Sequence, residues 1–359
     1  MGWITILLIL SPEILIVKRY GSREPLRITG SESKATLKTQ KKALSMTQSI
    51  NKFFLVPIDG SPQSLNAIDY LGHLFSAVQT IQIDLLYVVS AISPILVEES
   101  RFNRKTAAML QKMEKKNMAF ARSALEQGAL RLKQMGFEEQ RINTTILAQI
   151  AGVATDICER AEQKSADALV MSSRGRSRLE SYFMGATATK VIDASKRCPA
   201  WIVLGKVAQT GFLIAVDRSE EALRAVDHAG FILADTQHPI TLFYSQRKLT
   251  SFLPREVVDE APDLETIWQD RVGKTIAPVM ETARQILIDA GVADSRITVR
   301  VTEGTRSPAA DIIKTASQLD CGTIVMGRRG TSGQSMFNMG SVSRKVVDGS
   351  DDMAIWIVP

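Results

Sequence analysis

Residues 322–348 read "GTIVMGRRGTSGQSMFNMGSVSRKVVD", and residues 167–193 read "DALVMSSRGRSRLESYFMGATATKVID". They align without a gap: Gly175 with Gly330, Gly185 with Gly340 and Lys190 with Lys345. Upstream, "FFLVPIDGSPQSLNAIDY" (53–70) matches "GFLIAVDRSEEALRAVDH" (211–228), which pairs Asp59 with Asp217. The two offsets differ by only about three residues, a small change in loop length. A repeat of roughly 155 residues is far too long for a solenoid unit and describes one domain present twice.

Each copy alternates short apolar runs with longer amphipathic ones. The strand candidates are 53–58, 82–89, 142–147, 168–172 and 200–204 in the first copy, and 211–216, 240–244, 297–301, 323–326 and 354–358 in the second. They are rich in Val, Ile and Leu, and several lack polar alternation, as strands covered on both faces do. Between them lie helices. Ser61-Pro62 and Ser307-Pro308 place an N-cap serine before a proline at the first helical position. Residues 105–136 read as one long helix with outward Lys/Arg, its methionines 109, 113 and 118 taken as core. The fold class expected is α/β: two tandem Rossmann-like domains, each a five-stranded parallel sheet flanked by helices. The terminal runs "WIVLG" and "IWIVP" are candidates for joining the copies into an intramolecular pseudo-dimer.

Composition limits the function classes. The chain has 359 residues, 45% hydrophobic and 23% charged, as in soluble globular proteins. Its three cysteines are scattered beside apolar runs and read as buried thiols, not as a disulfide or zinc framework. The net charge of +6 is concentrated in residues 1–45, where eight Lys/Arg face three acids. The remainder lacks the basic footprint of a nucleic-acid binder, so no nucleic-acid partner is expected. Residues 3–17, "WITILLILSPEILIV", are short for a membrane span and a poor match to a signal peptide. Residues 1–45 are therefore read as an extension, disordered or upstream of a true start at Met46, with a membrane tether as the alternative. The domains are placed at 46–207 and 208–359, in a cytoplasmic protein.

In parallel α/β sheets ligands bind beyond the carboxyl ends of the strands, where strand order reverses. Asp59 and Asp217 follow the first strand of their copies, and the glycine-rich stretches follow the fourth. In the second copy Gly327 ends a strand, Gly330 lets backbone approach a ligand, and Gly340-Ser341-Val342-Ser343 opens a helix. Helix N-terminal N–H groups suit a phosphate, and the serines add donors. The same residues fit blander roles: turn glycines, an N-cap at Ser341, and an Asp217 that caps its own helix. The pattern is neither a Walker loop nor a GxGxxG fingerprint.

The spacing G-x2-G-x9-G-[S/T], an early strand ending in Asp and a closing apolar strand together resemble the universal stress protein family, over about residues 50–359. The resemblance implies a five-stranded adenine nucleotide α-hydrolase-like fold and, for one branch, binding of ATP with Mg2+ held through the phosphates. It implies that Asp217 holds the adenosine part, that the backbone of Val216 and Met326 flanks the base, and that Gly327 and Gly330 line the ribose and phosphates. Gly340, Ser341, Val342 and Ser343 would meet the phosphate chain. The first copy departs from the pattern: Ser172 stands for the first Gly, and Ala186 for the hydroxyl residue, with Thr187 beside it. Ser245 occupies a position where the ATP-binding branch of that family often has a Val that touches the base; the first copy has Val88 there. The second copy is thus the expected site and the first mainly structural. Arg328 and Arg329 either reach phosphates or are solvated turn residues.

Three histidines (73, 228, 238) form no triad or metal pattern, and Asp217 alone is a weak base. The expectation is a nucleotide-binding stress protein that acts through conformation or an unidentified protein partner, with a homodimer open. The alternatives are a nucleotide-independent scaffold and a slow ATPase or self-phosphorylating enzyme.

Overall fold

The computed structural model describes residues 5–11, 14–19, 26–29, 51–173, 185–260, 262–303, 307–331 and 339–359. Strands β1 (Thr5–Ser11), β2 (Ile14–Arg19) and β3 (Leu26–Thr29) pair antiparallel in a small separate sheet. Gly175 and residues 332–338 lie outside the described residues.

The first half comprises β4 (Lys52–Pro57), α1 (Leu65–Phe75), β5 (Ile81–Val89), α2 (Pro94–Phe102), α3 (Arg104–Gln134), β6 (Ile142–Ala148), α4 (Val153–Gln163), β7 (Ala168–Ser172), α5 (Ala186–Ala194) and β8 (Ala200–Leu204). The second repeats it: β9 (Gly211–Ala215), α6 (Glu220–Leu233), β10 (Ile240–Gln246), α7 (Arg255–Asp259), α8 (Pro262–Asp289), β11 (Ile297–Glu303), α9 (Pro308–Gln318), β12 (Cys321–Gly327), α10 (Ser341–Gly349) and β13 (Met353–Val358). The N-caps follow the serines: Ser61 Oγ accepts from Ser64 N, Ser219 Oγ from Ala222 N and Ser307 Oγ from Ala310 N.

Within each half the strands are parallel, and each first strand lies between the second and the fourth. That is the reversal of strand order at which a crevice opens. The halves do more than abut. β8 and β13 pair antiparallel, so one sheet runs in the order β11-β10-β9-β12-β13-β8-β7-β4-β5-β6. Trp201 and Trp356 face each other in this register and stack with centroids 3.6 Å apart and planes 2° apart. Trp201 Nε1 donates to His228 Nε2 (3.1 Å), and Trp356 Nε1 donates to Tyr70 Oη (2.8 Å). Tyr70 and His228 are repeat equivalents, so the seam carries an approximate twofold axis with one substitution across it.

The core is two layers. One face of the sheet packs α1, α3, α6 and α8; the other packs α4, α5, α9 and α10. Both layers run unbroken across the seam. All three cysteines are buried, and desolvation lifts the Cys158 and Cys321 thiols to about 11. The long helix α3 departs from expectation at one end: from Arg104 to Phe120 only Leu110 is buried, and Met109 and Met113 are 60% and 54% exposed. Its amphipathic period continues past the edge of the sheet, so the stripe that is core from Ala121 onward is largely exposed nearer the start.

Candidate functional site

The site is built at the carboxyl ends of β9 and β12. Met326 pairs with Ala215 in parallel register, which sets the Val216-Asp217 turn beside Gly327. Val216 is buried, and its N–H donates to the Phe243 carbonyl of β10 (2.9 Å). Asp217 is half-buried and uses its two oxygens differently. Oδ1 accepts from the Ser219 backbone N–H (2.9 Å) and from the Ser219 hydroxyl; Oδ2 accepts from Thr331 N (3.2 Å). The capping role and the site role therefore coexist: one oxygen anchors the helix start, the other ties the β12 loop to β9.

The glycines are required by close approach. A Cβ at Gly330 would lie 2.6 Å from Asp217 Oδ2. One at Gly327 would lie 2.7 Å from the Glu221 backbone carbon, so helix α6 is seated directly on that residue. Gly340 N donates to Arg328 O (2.9 Å), folding the start of α10 back onto the loop. Helix α10 has Gly340 as its N-cap and no side-chain cap. The N–H groups of its first turn thus face the crevice edge with the positive end of the helix dipole behind them.

The three residues that open α10 are not alike. Ser341 is exposed and Val342 half-buried. Ser343 is 3% exposed, and its hydroxyl donates to Gly327 O (3.0 Å), holding helix to strand. Ser343 can offer a ligand its N–H but not a free hydroxyl. Met326 is buried in β12 beneath the crevice.

The arginines separate as well. Arg329 is exposed, whereas Arg328 is 6% exposed and turned away from the crevice. Its guanidinium donates to Asp193 O (2.9 Å) and Ser195 O, at the C-terminus of α5 in the other half. Neither expected role, phosphate ligand or solvated turn residue, describes it. No feature of a single copy could have disclosed this, because the partner carbonyls belong to the first half.

The equivalent place in the first half is lined differently. Ser172, at the position of Gly327, accepts through Oγ from Ala67 N (3.1 Å) in the first turn of α1. Helix α1 is preceded there by a 3-10 turn, Pro62–Ser64. Asp59 accepts from Ser61 N (2.9 Å) as Asp217 does from Ser219. Gly185 N donates to Ser173 O (2.7 Å) as Gly340 does to Arg328 O. The frame is shared, and its lining differs. Ser245 at the end of β10 donates to Asp311 Oδ2 (2.6 Å) of α9, so its hydroxyl is engaged within the fold. Among the described residues no group of three or more His, Cys, Asp or Glu could hold a metal ion.

The chain matches the family model described as "Universal stress protein family" twice, over residues 51–203 and 211–354. It is 27% identical over 143 residues to the universal stress protein YxiE of Bacillus subtilis, covering 37% of this chain and 88% of that one. A crystal structure of a universal stress protein from Archaeoglobus fulgidus superposes with a TM-score of 0.56 at 20% identity, covering 85% of this chain and 97% of that one. A putative universal stress protein from Pseudomonas aeruginosa gives 0.49 at 15% identity, over 86% and 93% of the two chains. With the family model matched in both halves, over most of its length, this chain belongs to the universal stress protein family.

Proposed function

We propose that the second half binds an adenine nucleotide, ATP with Mg2+, and that the chain acts as a nucleotide-responsive regulatory protein. The carrying observation is the meeting of Gly330 with Asp217 Oδ2 beside the uncapped start of α10. A backbone without a Cβ, a carboxylate oxygen and a row of helix N–H groups stand together at the carboxyl edge of the sheet. Asp217 would accept from a ribose hydroxyl or the base, and Val216 and Met326 would flank the base with backbone. Gly327 and Gly330 would let the phosphates approach, and Gly340, Ser341, Val342 and Ser343 would supply N–H groups, with the Ser341 hydroxyl added. A divalent cation would be held by the phosphates, since the described residues offer it no cluster of their own. No helix among the described residues is long and apolar enough to cross a membrane. We place the protein in the cytoplasm, with association through residues 1–45 as the alternative.

The test is nucleotide released by heat from purified protein, with calorimetric titration of ATP and Mg2+. We expect one site per chain, weakened at least tenfold by Gly330→Val, and weakened by Ser341→Ala with the unfolding midpoint little changed. Absence of released nucleotide and of binding at millimolar ATP would overturn the reading. The scaffold alternative draws on Ser172 at the position of Gly327 in the first half and on the Ser245–Asp311 bond; it gains if Gly330→Val leaves every cellular phenotype intact.

A further inference from the structure

Both halves carry a helical hairpin between their second and third strands that stands clear of the core. In the first half α2 buries no residue, and α3 buries only Leu110 before Ala121. In the second, no residue described from Asp263 to Thr275 is buried. Each hairpin shows apolar side chains to solvent: Phe102, Met109 and Met113 on the first, Val257, Leu264 and Ile267 on the second. Met109 and Met113 are one helical turn apart and share a stripe, as do Leu264 and Ile267. Surfaces of this kind on a folded domain mark contact sites.

Their charges are opposite. Residues 94–122 hold seven Lys/Arg and three acids, a net of +4, and residues 255–275 hold three Lys/Arg and six acids, a net of −3. Within one chain the two cannot meet. β5 and β10, from which the hairpins spring, are separated by seven strand-to-strand steps, about 34 Å. Because β8 and β13 are antiparallel, the hairpins also leave opposite edges of the sheet. They do share a face: α3 and α8 both pack on the layer that holds α1 and α6.

We infer that these hairpins form the interface of a homodimer in which the basic hairpin of each copy docks on the acidic hairpin of the other. A twofold axis between two facing copies exchanges the hairpin positions, so both contacts form at once and the assembly closes. The apolar stripes supply the buried area, and the opposed charges set partner and register. An anionic bilayer would attract the basic hairpin but repel the acidic one on the same face, which is why a second copy is the occupant the charges favour. This inference is independent of nucleotide binding.

The test uses the full chain in analytical ultracentrifugation at low and high salt. Wild type should sediment as a dimer of twice 39.5 kDa at low salt and dissociate as salt screens the pairs. Lys112→Glu/Lys115→Glu/Lys116→Glu should weaken self-association at least tenfold, and so should Glu256→Lys/Asp259→Lys/Glu260→Lys. All six positions are exposed, so circular dichroism should be unchanged. Mixing the two variants should restore association, since the unaltered acidic hairpin of one then meets the unaltered basic hairpin of the other. A wild type that stays monomeric at 50 µM, a dimer indifferent to both reversals, or a mixture that fails to associate would each overturn the interface. So would a monomer that co-sediments with phosphatidylserine vesicles through Lys112, Lys115 and Lys116, which would assign the basic hairpin to a membrane surface.

Discussion

At the scale of single residues the halves part at Gly327 against Ser172, Ser341 against Ala186 and Ser343 against Ala188. Gly327 lets α6 sit against β12; its counterpart Ser172 instead reaches out to cap α1 at Ala67 N. Converting one to the other should therefore be costly in both directions. Ser172→Gly leaves the Ala67 N–H without its acceptor and should destabilise the first half by about 1 kcal/mol, read from urea unfolding. Gly327→Ser drives a Cβ into the Glu221 backbone and should cost more, about 1–3 kcal/mol, unless α6 shifts away from β12. A stability loss no larger than that of Ser172→Gly would show that α6 moves freely. Ser341 and Ser343 should also part company. Ser341→Ala should weaken nucleotide binding with little effect on unfolding; Ser343→Ala removes the bond to Gly327 O and should lower stability by about 1 kcal/mol as well. Equal unfolding midpoints for the two variants would contradict the structural role of Ser343. This division was not legible in the sequence, because both serines sit in the same motif. Only the helical phase relative to β12 turns one hydroxyl inward and leaves the other exposed.

At the scale of elements, the strands and the Ser61 and Ser307 N-caps followed from apolar runs and Ser-Pro signals, because local chemistry specifies them. What escaped is contact across the repeat. Arg328 is followed by Arg329 and precedes Gly330, so its place in the chain suggests the crevice; its guanidinium instead closes the C-terminus of α5. Carbonyls there are the orphans of the last turn, and a cation is the natural partner for them. Helix α5 starts at Gly185, in the crevice region of the first half, and ends on a residue from the loop of the second. Arg328→Ala should thus destabilise the first half through a residue of the second, by about 1–3 kcal/mol. Hydrogen exchange over residues 186–195 reads this directly: protection there should fall more than in α10. If only residues near 328 lost protection, the link between loop and helix would be refuted. The misplaced methionines of α3 have a related cause. Periodicity shows which side of a helix is apolar, but not where the sheet beneath it ends.

Across the whole molecule, the seam makes two repeats into one sheet, and its composition sets how that sheet responds to acid. Trp201 and Trp356 are both fully buried, and truncating either should cost about 3–5 kcal/mol. Their two indole N–H groups meet unlike partners, Tyr70 on one side and His228 on the other. His228 accepts through Nε2 and must therefore be neutral there; desolvation among the indoles pushes its pKa from 6.5 down to about 3. The sign follows from linkage. Below 6.5 the unfolded chain takes up a proton that the folded seam refuses, so this contribution is complete above 6.5 and is lost as pH falls toward 3. Between those values the slope is about 1.4 kcal/mol per pH unit, and from pH 7 to pH 5 the loss is about 2 kcal/mol. Asp235, held low by desolvation-opposing bonds from Lys52 and Thr80, adds its own loss only at lower pH. His228→Gln keeps an acceptor for Trp201 Nε1 and removes the titration. Urea unfolding of the variant should lose about 2 kcal/mol less than wild type over the same interval. Parallel losses would mean that the histidine is protonated within the folded seam, which its bond from Trp201 forbids in this geometry. Tyr70, the equivalent across the axis, does not titrate in this range, so acid should loosen the seam from the His228 side first.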